Sequence, residues 1–290
     1  MAGQATILVV NADDFGLSES INRGILSGHR NGIIRSASLM PNGQAFEDAA
    51  RIALETPSLG TGVHLSLVGE KCVAPAGDLG AMVGDDGALP FSYTTFARQF
   101  MAKRFGTREV RTEIGAQIER VLSAGIHPTH IDSHQHLHMM PGLFDIVVEA
   151  AIGASIPVIR IPLERGGAGP RGLSMRSLQT WILSRICRSR LAQVRRVGLL
   201  TADWFWGLGV SGRMNEANLM ETLGLLRPGV NEIMCHPGIG DPETAERYEG
   251  WGYCWDDELA AVTSDAAKQY VESNNVRLAS FADAWEDAES

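Results

Sequence analysis

The strongest constraint on the fold is a regular alternation of short apolar runs with longer helical patterns along 290 residues. Short apolar runs bounded by turn-forming residues predict buried strands, and the amphipathic segments between them predict helices. The predicted strands are 7–12, 36–40, 61–67, 129–133, 157–162, 230–235 and 276–280. Repeated strand–helix order favours a parallel sheet, so we predict one α/β domain over residues 1–290, a TIM-like (β/α) barrel with seven strands and some irregularity.

The bulk composition limits the classes of partner. An apolar content of 44% is enough for a substantial core, and a formal net charge of −9 argues against general binding to nucleic acid. The chain shows neither a signal peptide nor an apolar run of about twenty residues. Four cysteines without a CxxC spacing indicate reduced thiols, so we expect a cytoplasmic protein.

The histidines are unevenly distributed. Four of the eight, His130, His134, His136 and His138, fall within nine residues. A neutral imidazole is the commonest metal ligand, and alternate residues of a strand point to the same side. If the strand continues through this segment, His134, His136 and His138 would line one wall of a metal site.

Two further segments place polar residues at strand ends. Asp13 and Asp14 close the first strand, which suggests one metal ligand and one acid/base group, although an Asp pair before a glycine also forms turns or helix caps. His64 lies in the third strand, where a histidine satisfied within the core is the alternative. With His134 and His236, these residues mark the carboxyl ends of several strands, where barrel enzymes keep their active sites.

A glycine- and proline-rich segment, residues 68–95, follows the His64 strand and shows no clear helical pattern. Its position predicts a long loop over the mouth of the cavity. A lid that selects substrate and a tolerated insertion are both compatible with this composition.

The motifs resemble those of the YdjC-like carbohydrate deacetylases along nearly the whole chain. The matching segments are NADDFGLSESINRGI at 11–25, GVHLSL at 62–67, THIDSHQHLHMMP at 129–141 and MCHPG at 234–238. The resemblance implies a seven-stranded, barrel-like α/β fold that removes acetyl groups from N-acetylated sugars with a divalent metal.

By matching position, the resemblance implies that Asp13 is the general base and that Asp14, His64 and His134 hold the metal. It leaves His136 and His138 without a ligand role, so these residues and Asp132 are expected behind the ligands or against substrate. Two imidazoles and one carboxylate leave coordination positions open for water and substrate. Zn²⁺ is favoured by the histidines, and Mg²⁺ or another divalent ion is also compatible.

A more distant similarity to polysaccharide deacetylases concerns Arg160, in the sequence Arg160-Ile161-Pro162, and His236. It implies that Arg160 steadies the base and that His236 is the general acid that protonates the departing amine. The alternatives are that Arg160 is a surface ion-pair partner and that His236 only bonds to backbone near Pro237.

A basic segment at 171–198 has seven arginines and no acidic residue between Arg171 and Arg196. Interleaved apolar residues predict an amphipathic helix, which would rest on an anionic membrane surface or pack as an ordinary barrel helix with its arginines in solvent. Nearby, Trp204 and Trp206 would offer a sugar-stacking or apolar wall to substrate.

The segments DWFWGLGVSGRM at 203–214 and WGYCWDDELAAVTS at 251–264 resemble the hopanoid-associated branch of the family. This implies an N-acetylglucosaminyl hopanoid glycolipid as substrate and a peripheral contact with the inner membrane surface. A short chitooligosaccharide such as diacetylchitobiose is the competing substrate. An amidohydrolase-type metal hydrolase and a non-catalytic sugar or lipid carrier are more remote alternatives, and the sequence leaves the oligomeric state open.

Overall fold

The computed structural model describes residues 5–164 and 175–285, with side chains in the second range described from residue 182 onward. The strands are β1 Thr6–Phe15, β2 Ser36–Leu39, β3 Gly60–Leu65, β4 His130–Ser133, β5 Val158–Ile159, β6 Trp204–Trp206, β7 Gly229–Cys235 and β8 Arg277–Leu278. The helices are α1 Glu19–Asn31, α2 Phe46–Glu55, α3 Ala76–Leu79, α4 Tyr93–Met101, α5 Thr107–Ser123, α6 Phe144–Gly153, α7 Met175–Arg196, α8 Glu216–Leu223, α9 Pro242–Arg247, α10 Trp255–Thr263 and α11 Asp265–Ser273.

The sheet is parallel and curled, in the strand order β5-β4-β3-β2-β1-β7-β6, and β8 pairs beside the start of β1. Isolated bridges from Val158 to Leu200 and from Glu164 to Phe205 link its two edges. The Glu164 carboxylate also accepts the backbone N–H groups of Gly207 and Gly209, both at 2.9 Å. The predicted α/β barrel-like fold is confirmed: seven curled strands form a half-barrel, and the two isolated bridges join its edges.

The list of predicted strands needs one addition, because it lacks β6. Its three residues, Trp204–Trp206, are too few to show a period, and the sequence interpretation treated them as a wall for substrate. Pairing with β7, from Trp204–Asn231 to Trp206–Ile233, places this segment in the sheet.

The strands alternate between the helices outside and the barrel interior. At the amino end, Val9, Val158, Val230 and Phe281 form a small apolar cluster inside. Further along the strands the inward side chains are polar and buried: Asn11, Ser36, Ser38, His130, Asp132, Arg160 and Glu232. The intervening residues, such as Leu8, Val10 and Ala12, belong to the main core under the helices. The barrel therefore has an apolar base and a polar upper interior.

Gly62 of β3 is required by this crowded interior. A Cβ at residue 62 would lie 2.4 Å from ring atoms of His130, whose Nε2 lies 2.9 Å from Ser38 Oγ and whose ring lies 4.3 Å from that of Phe281. The imidazole is held on two sides, so it has little room to shift for a larger residue.

The segment 68–95 is more ordered than predicted. It contains α3, a 3₁₀ turn at Gly80–Met82 and an antiparallel bridge between Lys71 and Ala88. The buried Glu113 carboxylate of α5 accepts the backbone N–H groups of Val73 and Ala74 and anchors the segment. The expectation of no helix was wrong because a four-residue helix is too short to show a helical period.

The predicted basic helix is observed as α7, although residues 171–174 lie outside the described range. Among its described side chains, Cys187 and Val194 are buried, Ile186 and Leu191 pack against the core, and Arg188, Arg195 and Arg196 are exposed. This part of α7 is an ordinary barrel helix with its apolar face on the core. None of the described helices is long and apolar enough to cross a membrane.

Candidate active site

The carboxyl ends of four strands converge on one buried cluster, as the sequence predicted. Asp13 and Asp14 lie in the last three residues of β1, and His64 is the penultimate residue of β3. His134 follows β4 directly and His236 follows β7 directly. All five side chains are buried.

A break in β1 allows two adjacent carboxylates to face the same side. Adjacent residues of a regular strand point in opposite directions. Here Asp14 has a left-handed backbone with φ of +64°, and the pairing of β1 with β2 shifts register between Ala12 and Phe15. This irregularity turns Asp14 inward beside Asp13.

Asp14, His64 and His134 form a compact donor set. Asp14 Oδ1 lies 2.9 Å from His134 Nδ1 and 3.4 Å from His64 Nε2. One ligand atom from each residue lies within 4.8 Å of the other two. Within the described part of the chain, Asp14 Oδ2 and His134 Nε2 are buried without a hydrogen-bond partner, an arrangement that costs free energy unless a cation occupies the site. These residues fit a divalent metal ion, and the structure leaves its identity open.

Asp132 orients one of these histidines. The Nδ1 atom of His64 lies 2.7 Å from Asp132 Oδ1, so Nδ1–H donates to the carboxylate and Nε2 faces the donor set. Burial alone would lower the pKa of His64, but the Asp132 and Asp13 carboxylates more than offset it and raise the pKa to about 10. Burial would raise the pKa of Asp14, but His134 and His64 hold it well below its usual value.

Arg160 is buried at the centre of three carboxylates. Its guanidinium donates two 2.7 Å hydrogen bonds to the two oxygens of Asp13, and its Nε–H donates to Glu232 at 2.6 Å. Nη1 also lies 2.6 Å from Asp132 Oδ2, and Asn11 Nδ2 donates to Asp13 Oδ1 at 2.8 Å. Arg160 is therefore a buried partner of Asp13, and the alternative of a surface ion pair is wrong.

The charge balance of the cluster favours a cation. Burial raises the pKa of Glu232 to about 7, partly opposed by Arg160, so this carboxyl is largely protonated below neutral pH. The Asp13, Asp14 and Asp132 carboxylates then stand against the guanidinium of Arg160 and the protonated ring of His64. A divalent ion that displaces the His64 proton would offset the remaining buried negative charge.

The predicted wall of three alternating histidines is wrong because β4 ends at Ser133. Residues His134–Met139 form a 3₁₀ segment in which Gln135 and His136 have left-handed backbones, with φ of 55° and 54°. His138 turns away, with Nδ1 2.6 Å from Ser133 Oγ and Nε2 2.9 Å from the Arg160 carbonyl oxygen. Burial lowers the pKa of His138 to about 4, so it is a neutral structural partner of the Arg160 backbone.

His136 lies beside the cluster without joining the donor set. Its ring meets the edge of Phe205 at 6.0 Å, and Phe205 also lies 5.7 Å under the Arg160 guanidinium. Burial, with Arg160 and His138, lowers the pKa of His136 well below its usual value, so the ring is neutral. Its buried Nδ1 has no described hydrogen-bond partner and is available to a ligand.

His236 is backed by a buried glutamate and covered by an aromatic ring. Glu258 Oε2 accepts the backbone N–H of His236 and lies 3.9 Å from its Nδ1 atom. The ring of Tyr253 lies 4.5 Å from that of His236, and the ring of Trp251 lies 4.7 Å from that of His134. Trp251 and Tyr253 therefore form a roof over the two histidines.

Trp204 and Trp206 do not join this site. Phe205 faces Arg160 and His136, so strand alternation turns the two tryptophans to the other side of β6. Their indole N–H groups donate to the Pro228 carbonyl and to Asn231 Oδ1, both at 3.1 Å. The aromatic residue of this strand at the site is Phe205.

Sequence reasoning missed the interior residues that support the donor set. Ser38 accepts from Asn11 Nδ2 and donates to Asp132 Oδ2, both at 2.8 Å. Burial lowers the pKa of His130 to about 3, so this histidine is a neutral member of the same network. Their signal was a polar residue at alternate positions of otherwise apolar strands, including Glu232 in GVNEIMC.

Fold and site together define an α/β half-barrel with a buried Asp–His–His donor set at the carboxyl edge of its sheet. The chain belongs to the family of YdjC-like proteins, whose sequence profile matches residues 7–273. The family resemblance inferred from the motifs is therefore confirmed.

Named relatives cover nearly the whole chain. It is 31% identical to a carbohydrate deacetylase of Geobacillus stearothermophilus over 94% of this chain and 96% of the relative. It is 29% identical to a chitooligosaccharide deacetylase of Proteus mirabilis over 96% of this chain and 99% of the relative. A crystal structure of a candidate cellobiose-phosphate cleavage protein from Enterococcus faecalis, 24% identical, has a TM-score of 0.71 and covers 96% of this chain and 98% of that one. This last similarity supports the fold alone.

Proposed function

We propose that the protein is a metal-dependent N-deacetylase that releases acetate from an N-acetylated amino sugar. The observation that carries the proposal is the division of two adjacent carboxylates between two environments. Asp14 lies in the Asp–His–His donor set, while Asp13 is held in a guanidinium fork beside it. A binding protein has no need for a second, separately oriented carboxylate at a metal site. The carbohydrate deacetylases among its relatives support the same reaction class.

Asp14, His64 and His134 would hold the metal ion, which when bound supplies Lewis acidity that polarises the acetamido carbonyl and favours ionisation of water. Asp13 accepts the proton of the attacking water as general base. Arg160 and Asn11 fix both Asp13 oxygens, so the remaining lone pairs keep a defined direction. Asp132 keeps the His64 proton on Nδ1 and its Nε2 turned to the donor set.

His236 donates a proton to the departing nitrogen as the amide C–N bond breaks, which leaves acetate and a free amine. Its buried Nδ1 has no hydrogen-bond partner among the described residues, and Glu258 Oε2 lies 3.9 Å away. Tyr253 and Trp251 exclude water from one side of the site and offer aromatic faces to a sugar ring. Two histidines in the donor set favour Zn²⁺, and Mg²⁺ or another divalent ion is the alternative.

The substrate we propose is the N-acetylglucosaminyl head group of a hopanoid glycolipid, with a chitooligosaccharide as the second candidate. The first is supported by the resemblance of residues 203–214 and 251–264 to the hopanoid-associated branch, since the latter segment supplies Trp251 and Tyr253 of the roof. The second is supported by the similarity to the Proteus mirabilis chitooligosaccharide deacetylase. Both present the same acetamido group and differ only in what the sugar carries.

Acetate release from both substrates tests the proposal. Protein reconstituted with Zn²⁺ or Mg²⁺ is incubated with the glycolipid in detergent micelles and with diacetylchitobiose, and Asp13→Asn is measured in parallel. Release by wild type that is lost in the variant supports the reaction, and the preferred substrate identifies the branch. No release from either substrate by folded, metal-loaded protein would refute the deacetylase proposal.

A further inference from the structure

We propose that α4 and its flanking residues form a docking surface for an anionic membrane, here called the α4 rim. It consists of the apolar residues Phe91, Tyr93 and Met101 and the basic residues Arg98, Lys103, Arg104 and Arg108. This proposal goes beyond the deacetylase function because membrane binding does not require turnover. It also concerns a different surface from the basic helix α7.

The apolar part of the rim is unusually exposed. Phe91 is 87% exposed and Met101 is 73% exposed, the two highest values for large apolar residues in the described part of the chain. Tyr93, the first residue of α4, is 42% exposed, and Phe91 lies two residues before it. Single exposed apolar residues are ordinary, but three within eleven residues of the chain indicate a contact surface.

One face of α4 already packs on the core. Phe96 is fully buried, and its ring lies 5.2 Å from Phe105 and 6.2 Å from Phe100. This aromatic cluster fixes the helix on the protein without help from the outer face. Phe91 and Met101 can therefore enter a second apolar environment while α4 stays folded.

The charge around these residues favours an anionic surface. Between Gly87 and Arg108 the chain has four basic residues and no acidic residue, although the protein carries a net charge of −9. Arg98, Lys103, Arg104 and Arg108 are all exposed. Exposed aromatic residues bordered by lysine and arginine are typical of segments that lie in the interface of anionic bilayers.

Lys103 occupies a backbone position that would favour glycine. Its φ is +56°, and α4 ends in two capping bonds, from Lys103 N to the Phe100 carbonyl at 3.0 Å and from Arg104 N to the Gln99 carbonyl at 3.1 Å. Glycine is usual at this left-handed position of such a cap. A lysine at this position has a conformational cost, and it places an exposed cationic side chain just beyond the end of α4.

The rim contacts the segment that carries part of the donor set. The backbone N–H of Tyr93 donates to Gln135 Oε1 at 3.3 Å, and Gln135 directly follows His134. A membrane bound at the rim would therefore lie beside this segment. A second copy of the chain is a poorer occupant, because a symmetric contact would bring two sets of like charges together.

Sedimentation with lipid vesicles tests the proposal independently of catalysis. Full-length protein is mixed with vesicles of phosphatidylcholine alone or of phosphatidylcholine with phosphatidylglycerol. We expect binding to the anionic vesicles only, reduced by high salt because screening weakens each lysine and arginine contact. The double variant Phe91→Ser/Met101→Ser should bind at least about tenfold more weakly, because both apolar contacts are lost. Leu54→Ser, at a residue 54% exposed on α2, is the matched control and should bind normally.

Lys103→Gly separates membrane binding from folding. We expect this variant to melt at the same or a higher temperature and yet to bind anionic vesicles about fivefold more weakly, since each basic residue contributes roughly 1 kcal/mol at such a surface. Arg195→Gln/Arg196→Gln on α7 should bind normally. The proposal would be overturned by unimpaired binding of the rim variants, by loss of binding in the α7 variant, or by a wild-type protein that does not bind. Concentration-dependent dimers disrupted by Phe91→Ser would instead assign the rim to a second copy. Acetate release from diacetylchitobiose, measured on the same proteins, reports separately on the deacetylase function.

Discussion

Asp13→Asn is the substitution that most directly examines the division of roles at the site. The described hydrogen-bond partners of this carboxylate are all donors: two guanidinium N–H groups of Arg160 at 2.7 Å and Asn11 Nδ2 at 2.8 Å. An asparagine keeps one acceptor oxygen, but its NH₂ group must face a donor. One buried polar mismatch costs about 1–3 kcal/mol, which lowers the melting temperature by roughly 2–4 °C for each kcal/mol. Loss of the general base should lower kcat by about 10²–10⁴.

Asp132→Asn is the matched control, because its carboxylate also lies among donors. Ser38 Oγ donates to it at 2.8 Å, and Arg160 Nη1 and His64 Nδ1 lie at 2.6 and 2.7 Å. It should show a similar loss of stability but a different defect, a metal affinity about 10–100-fold lower, with turnover recovered at saturating metal. Calorimetric metal titration and acetate release distinguish the two variants. Normal turnover by folded Asp13→Asn, or recovery of its turnover by excess metal, would refute the base assignment.

Three further outcomes follow from the structure. Metal affinity should rise with pH up to about 10, because the neighbouring carboxylates raise the pKa of buried His64 to about 10 and a bound cation must displace its proton. Calorimetry in buffers of different ionisation enthalpy should detect the released proton. A pH-independent affinity would contradict the structure. Gly62→Ala should lower the free energy of unfolding, measured by urea denaturation, by about 1–3 kcal/mol, because its Cβ would lie 2.4 Å from the His130 ring. The control Gly115→Ala, with open space around it, should be neutral or stabilising by about 0.4–1 kcal/mol. Equal effects of the two substitutions would exclude the steric explanation. Trp251→Ala should raise KM for the sugar and leave metal affinity nearly unchanged, because the Trp251 ring covers His134 without offering a ligand atom. An unchanged KM would show that Trp251 does not contact substrate.

Much of the fold was visible in the sequence because a parallel barrel repeats one simple pattern. Apolar runs and intervening amphipathic segments gave seven of the eight strands, and polar residues at the ends of those runs gave the positions of the donor set. The missed strand, β6, has three residues and α3 has four, both shorter than the window needed to detect a period.

The sequence by itself indicated which segments form strands and which polar residues lie at or near their carboxyl ends, because both depend on local composition. Asp14, His64 and His134 are among these residues, and the resemblance to the family singled them out as ligands. The tertiary structure decided which side chains meet. Arg160 reaches Asp13 across 147 residues and Glu232 across 72, contacts that exist only because the sheet curls and brings β5 beside the interior of β1 and β7. It also decided that β4 ends before His136 and that Phe205 faces inward. Alternation along a strand distinguishes two faces, but only packing decides which face lies inside.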